Sequence, residues 1–190
     1  MPLGVAEAGL DDPIVDPILA VMEAITLLSA PLIVVLMVTI NDCSSRERKV
    51  FGVIALSFAV IMAGLTSAVH FVALTAGRQT GFAILPWPSP LYALELLAWD
   101  VFLGLSLIFA AFVLGGAGIQ TGARWSLLCS GTLCLVGVIG PILGDMVFKR
   151  LGIIGYGVGL QISCLFLARY FYRHDGGINE QTIKCYSPNL

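Results

Sequence analysis

Apolar residues run along the chain in five long stretches that are separated by short polar segments. The stretches cover residues 17–40, 50–76, 91–114, 125–143 and 151–172. A helix of roughly 20 residues is long enough to cross the hydrocarbon core of a bilayer. The pattern predicts an all-α fold: a polytopic membrane helix bundle of about five transmembrane helices over residues 1–174. Residues 175–190 are predicted to form a flexible polar tail.

The composition supports a membrane protein, because 58% of the residues are hydrophobic and only 12% are charged. A soluble domain has about 25% charged residues, so this chain is too poor in charge to cover a core with a polar shell. The lipid bilayer is therefore the expected partner. The net charge of −2 argues against a nucleic-acid partner, which requires a basic surface.

The distribution of basic residues predicts an outside N-terminus and a cytoplasmic C-terminus, since cytoplasmic loops are enriched in Lys and Arg. This orientation leaves only Arg78, Lys149 and Arg150 outside. It places seven basic residues inside: Arg46, Arg48, Lys49, Arg124, Arg169, Arg173 and Lys184. The pattern fits the bacterial inner membrane or the endoplasmic reticulum.

Five ionisable side chains lie within or at the end of these stretches, where a charge costs several kcal/mol and requires a reason. They are Glu23, His70, Glu95, Asp100 and Asp145. With a rise of about 1.5 Å per residue, all five fall in the outer half of the bilayer. They belong to four different helices, so we expect them to converge on one polar cavity that opens outward.

Helix geometry refines this expectation. Glu95 and Asp100 are five residues apart, which is about 140° around an α-helix, so the third span should be central with neighbours on both sides. His70 shares a face with Thr66 and Ser67, whose hydroxyl groups could bond its imidazole.

Small residues predict close packing between the fourth and fifth spans. Gly140 and Gly144 are spaced like Gly155 and Gly159, and we expect the two pairs to face each other. Pro141 should kink the fourth span.

The remaining motifs exclude several kinds of chemistry. No lysine lies within a span, which argues against a retinal Schiff base, and the only other histidine is His174 in the tail. There is no dinucleotide or phosphate-loop motif, and we expect neither a cofactor nor a metal ion.

The sequence therefore favours a membrane enzyme that moves protons on a lipid-like or isoprenoid substrate, as an isomerase or a terpene-type cyclase. We expect Asp100 and Glu95 to be acid and base and His70 a proton relay, with Glu23 and Asp145 orienting them. The residues expected to contact the hydrophobic substrate are Trp99, Trp87, Ser67 and Tyr92. The alternatives are a proton- or cation-coupled carrier or channel, or a non-catalytic subunit of a membrane complex, and a homo-oligomer is left open.

Three short segments resemble the emopamil-binding protein (EXPERA) superfamily. They are Ala68-Val69-His70-Phe71, Glu95 with the later Gly104-Leu105-Ser106-Leu107, and Gly144-Asp145. The resemblance implies five spans with an outside N-terminus, and a site in which a histidine and acids shift a double bond by protonation and deprotonation. Those isomerases carry an acid one turn after the histidine, where this chain has Leu74. Small membrane-bound terpene cyclases also use intramembrane acids and are a second analogy.

Overall fold

The predicted helices are present. A computed structural model of the chain describes residues 17–80, 87–115 and 118–185. It contains five helices that are long and apolar enough to cross a membrane, and no strand occurs in these described ranges. They are α1 (Ile18–Asp42), α2 (Lys49–Gly77), α3 (Pro90–Val113), α4 (Ile119–Leu143) and α5 (Lys149–Tyr172).

The five helices pack as a bundle around α3. Successive helices are in contact, so that α1 packs on α2, α2 and α4 pack on α3, and α5 packs on α4. In α3, 56% of the span is buried, against 17–33% in the other four helices. The predicted central position of the third span is confirmed. The outer surface is apolar: Leu28, Leu32 and Leu165 are 68%, 67% and 70% exposed, as expected for side chains that face lipid.

Three wide π-helical turns interrupt the α-helical spans. They cover Ala73–Gly77 in α2, Leu97–Leu103 in α3 and Gly155–Gly159 in α5. Such turns are rare and often lie at functional sites, because the extra residue disturbs the regular hydrogen-bond ladder.

The helix ends differ from the prediction in two places. Helix α4 begins at Ile119 rather than at residue 125, because its first turns are polar and fall below the hydropathy of a span. The helical backbone of α5 continues through Cys185, which includes most of the segment predicted as a tail. The flexibility of that segment stays a prediction. The acidic N-terminal segment, Pro86 of the proline-rich loop and the last five residues lie outside the described residues.

Glycine brings α4 and α5 into close contact, as predicted, but the contacting pairs are different. A Cβ at Gly137 would lie 2.6 Å from the Gly152 backbone, and a Cβ at Gly155 would lie 2.8 Å from the Ser130 carbonyl. Gly144 instead ends α4 in the left-handed conformation, with φ of 76°. The expected facing of residues 140–144 with residues 155–159 is therefore wrong. Residues 144–148 form the turn of the α4–α5 hairpin, and this turn sets the register.

The fourth span is interrupted near its end. Its helical segments are Ile119–Gly137 and Ile139–Leu143, with a turn at Val138. Pro141 has no backbone N–H, so the carbonyl of Gly137 cannot accept the usual bond from four residues ahead. The interruption at Val138 agrees with this missing bond, while the predicted kink of the helix axis stays a prediction.

Candidate active site

A buried histidine joins two carboxylates from two other helices. The Nε2 atom of His70 in α2 lies 2.7 Å from Oε1 of Glu95 in α3. The Nδ1 atom of His70 is hydrogen-bonded to Oε2 of Glu23 in α1. Glu23 and His70 are only 5% and 6% exposed, while the Glu95 side chain is 17% exposed. The three side chains form one continuous hydrogen-bonded cluster.

The sequence positions this cluster through three antiparallel helices. Glu23 lies near the start of α1, His70 near the end of α2 and Glu95 near the start of α3, so all three lie at one end of the bundle. This agrees with the prediction that they share one depth. The π-helical turns of α2 and α3 begin at Ala73 and Leu97, three residues after His70 and two residues after Glu95.

The partners of the imidazole differ from the predicted hydroxyl groups. Both ring nitrogens are engaged by carboxylates, and the Thr66 hydroxyl is buried with no hydrogen-bond partner among the described residues. Ser67 is half-buried, three residues before His70. Carboxylates are the stronger acceptors, so an N–H group of the ring bonds them in preference to a hydroxyl.

The cluster can hold an exchangeable proton. Two ionised carboxylates and one imidazolium carry a net charge of −1, and a further proton makes the cluster neutral. Glu95 is the member of the cluster with an unused hydrogen-bonding atom. Its Oε2 atom is buried and has no hydrogen-bond partner in the described part of the chain. This oxygen is the atom of the cluster at which a further hydrogen bond could form.

The geometry does not suit a metal ion. The two carboxylates lie at opposite edges of the imidazole ring, so the three side chains do not point at one centre. Among the described residues, no group of three or more His, Cys, Asp or Glu side chains is arranged to hold a metal ion.

Asp100 lies apart from the cluster, on the side of α3 that faces α4 and α5. It is fully buried, and neither carboxylate oxygen has a hydrogen-bond partner among the described residues. A Cβ at Gly152 would overlap the Asp100 carboxylate, and a Cβ at Gly137 would lie 3.6 Å from it. The two glycines thus provide the space for this side chain. The different directions of Glu95 and Asp100 were predicted, but a single cavity that collects all five ionisable groups is not what the structure shows.

Asp145 is outside the buried site. It is exposed in the turn between α4 and α5, where its carboxylate accepts a 2.9 Å hydrogen bond from the Val147 N–H. This bond within the turn is a local structural role. The structure therefore brings together Glu23, His70 and Glu95, and it places Asp100 behind α3 and Asp145 in the turn.

A group of aromatic side chains and one lysine lies between α3 and α5. Lys149 donates a 2.5 Å hydrogen bond to the Tyr92 hydroxyl, and its ammonium is 4.4 Å from the centre of the same ring. Lys149 is also close enough to Asp100 for an electrostatic interaction. Trp87 packs edge-on against Tyr92 with ring centres 5.8 Å apart.

Trp99 and Tyr156 connect this group to both acids. Their ring centres are 5.3 Å apart, and the indole N–H of Trp99 is buried with no hydrogen-bond partner among the described residues. Tyr156 is within electrostatic range of both Asp100 and Glu95. Sequence reasoning missed Lys149 and Tyr156. Lys149 starts a span and was treated as an end residue, and Tyr156 is hidden among the small residues of α5.

Comparisons of the chain with known proteins find no similar protein. No family model matches the chain, and no curated protein or solved structure matches it either. The geometry of the site is therefore the basis for any functional statement.

Proposed function

We propose that the protein is a membrane-embedded enzyme that transfers protons to and from a lipid-like or isoprenoid substrate, as an isomerase or a terpene-type cyclase. The observation that carries this proposal is the buried Glu23–His70–Glu95 cluster, in which one oxygen of Glu95 is left without a partner. Acid–base catalysis requires a group that exchanges a proton with the substrate and a reservoir behind it.

In this mechanism Glu95 is the group that meets the substrate. Its protonated form gives a proton to a carbon–carbon double bond, and the electrons of the O–H bond remain on the carboxylate. As Glu95 loses this proton, the His70 imidazolium, which Glu23 stabilises, shares its Nε2 proton with the Glu95 carboxylate across the 2.7 Å hydrogen bond. Transfer of a proton from a neighbouring carbon of the substrate to the Glu95 carboxylate, with the shared proton back on His70, completes an isomerisation and regenerates the acid. In a cyclase a second double bond attacks the carbocation and closes a ring, and the cyclic cation then loses its proton to the same carboxylate.

The roles differ from those expected on sequence alone. Glu95 and His70 keep their expected roles as proton donor or acceptor and relay, and Glu23 orients the ring. Asp100 is the second acid. It lies on the side of α3 that faces α4 and α5, and it interacts with Tyr156, whose ring packs against Trp99, rather than with His70. Of the expected substrate contacts, Tyr92 and Trp99 interact with Tyr156, which is within electrostatic range of both acids.

The distribution of buried polar groups favours an enzyme over a proton carrier. In the described part of the chain, the buried ionisable side chains are Glu23, His70 and Asp100. Further toward the other end the buried hydroxyls of Ser106 and Ser130 donate to the backbone carbonyls of Ala55 and Gly155. These satisfied hydroxyls do not form a ladder of ionisable groups, which a transmembrane proton path would need.

Solvent-deuterium exchange tests the proposal without knowledge of the substrate. Purified protein is incubated in D₂O with a lipid extract of its host membranes, and the recovered lipids are analysed by mass spectrometry. An enzyme of this kind places one solvent deuterium on carbon in its substrate. Glu95→Gln should abolish the incorporation, and Asp42→Asn, which changes an exposed acid at the other end of the bundle, should leave it unchanged.

Two outcomes would contradict the proposal. One is deuterium incorporation by Glu95→Gln at the rate of the parent protein. The other is proton flux across proteoliposomes of purely synthetic lipid, which would favour the carrier.

A further inference from the structure

A polar cavity of about 290 Å³ lies at the end of the bundle opposite the Glu23–His70–Glu95 cluster. It opens between the loop after α1, the end of α3, the first turn of α4 and the last turns of α5. Its polar lining residues are Cys43, Ser45, Glu47, Arg48, Gln120 and Tyr170. A volume near 300 Å³ is at the lower end of the range for small-molecule sites, so it suits a headgroup rather than a whole lipid.

The Arg48 guanidinium is inserted into this cavity. A Cβ at position 115 would overlap the guanidinium, so Gly115 provides the space that the arginine occupies. Gln120 stands in the first turn of α4, which has no side-chain cap at Gly118, and the positive end of the helix dipole therefore borders the cavity. A planar guanidinium with several N–H donors is well suited to bind phosphate oxygens.

A carboxylate lies beside this positive charge. Glu47 lines the same cavity, and neither it nor Arg48 has a salt-bridge partner within the described part of the chain. A free phosphate would satisfy Arg48 but would be repelled by Glu47. A ligand that carries both a phosphate and an ammonium group would satisfy both side chains.

An apolar surface continues from the cavity along the outside of the bundle. Phe51 follows Arg48 by one helical turn, and its ring centre is 5.6 Å from Phe112 and 6.5 Å from Phe109. Phe112 is 37% exposed, and Val50 and Val53 on α2 are at least half exposed. These side chains offer a surface for an acyl chain directly beside a site for its headgroup.

We propose that this cavity binds the headgroup of a zwitterionic phospholipid, with the phosphate on Arg48, the ammonium at Glu47 and an acyl chain along Phe51 and Phe112. The proposal rests on the cavity and its two opposite charges, and it is independent of the function proposed for the Glu95 site.

Lipid retention tests the proposal. The full chain is reconstituted in nanodiscs of equal parts phosphatidylethanolamine and phosphatidylglycerol, extracted into detergent and analysed by native mass spectrometry. We expect bound phosphatidylethanolamine in excess over its share of the nanodisc. Loss of a charge-assisted contact of about 1.5 kcal/mol corresponds to roughly tenfold in affinity, so Arg48→Gln should reduce the retained lipid about tenfold. Arg46→Gln, in the same loop but exposed, is the matched control and should retain the lipid of the parent.

Two further variants keep the test informative if Arg48→Gln does not fold. Gly115→Ala leaves the charge in place but displaces the guanidinium, and it should also reduce retention. Glu47→Gln should reverse the preference toward phosphatidylglycerol, because it removes the partner of the ammonium group. Equal retention by a folded Arg48→Gln or Gly115→Ala would overturn the site, and an unchanged preference in Glu47→Gln would overturn the zwitterionic match. Saturation by inorganic phosphate in detergent, with no retained phospholipid, would identify a soluble anion as the ligand and contradict the proposal.

Discussion

Replacement of His70 by Phe should strongly destabilise the protein. The substitution keeps the ring size but leaves Glu23 and Glu95 facing each other without the imidazole, and Glu23 is only 5% exposed. Removal of one partner from a buried ionic cluster costs about 3–5 kcal/mol, because the remaining charge is neither solvated nor paired. For a chain of this length each kcal/mol corresponds to roughly 2–4 °C, so the unfolding midpoint should fall by about 6–20 °C.

Removal of the two carboxylate charges as well should restore most of the lost stability. In the triple variant Glu23→Gln, His70→Phe and Glu95→Gln no charge remains in the cluster, and replacement of a whole buried ionic group is often close to neutral. Thermal unfolding of the single and triple variants in the same detergent measures both effects. Asp42→Asn changes an exposed acid at the far end of α1 and is the control, with an expected shift near zero. A cost below about 1 kcal/mol for His70→Phe, or a triple variant less stable than the single one, would refute the argument of a buried ionic cluster.

Three further experiments test the packing around the site by thermal unfolding. Gly137→Ala places a Cβ 2.6 Å from the α5 backbone and should destabilise the protein by about 1–3 kcal/mol. Gly64→Ala has open space on α2 and should stabilise the protein by up to about 1 kcal/mol. Equal effects of the two substitutions would contradict the close α4–α5 contact. Ser106→Ala removes a buried 2.8 Å bond to a carbonyl of α2 and should cost about 0.5–1.5 kcal/mol, and a cost of zero would show that the carbonyl is satisfied otherwise. A double-mutant cycle of Lys149→Met with Tyr92→Phe should give a coupling of about 0.5–2 kcal/mol, and additive effects would argue against their contact.

The number and positions of the helices follow from the sequence because lipid requires long apolar segments with all backbone groups bonded internally. The predicted starts and ends of α1, α2 and α3, and the start of α5, lie within about two residues of the observed ones. The start of α4 was missed by six residues, from 119 to 125, because hydropathy detects the part of a helix that lies in lipid and not the polar turns that extend beyond it.

Part of the candidate site was also predictable. The sequence predicts comparable depths for Glu23, His70 and Glu95, and the cost of a charge in lipid favours contact between them, which the structure shows. The rotation of each helix about its own axis was harder to predict from the sequence. The engagement of both imidazole nitrogens by carboxylates and the pairing of Gly137 with Gly152 depend on this rotation and on the length of the α4–α5 turn. Reasoning with a fixed angle of 100° per residue also takes no account of the π-helical turns.

The wide turn at Leu97–Leu103 lies between the part of α3 that carries Glu95 and the part that carries Ser106. A π-helical turn contains about one residue more than an α-helical turn for a similar rotation and rise. Deletion of Val101, after Asp100, would therefore restore regular winding while both parts of the helix keep their orientation. Glu95 would stay beside His70, and Ser106 would keep its bond to the carbonyl of Ala55. The extra residue thus acts within the turn: it sets the faces of α3 on which Trp99 and Asp100 lie, and these faces can change while both ends of the helix keep their contacts.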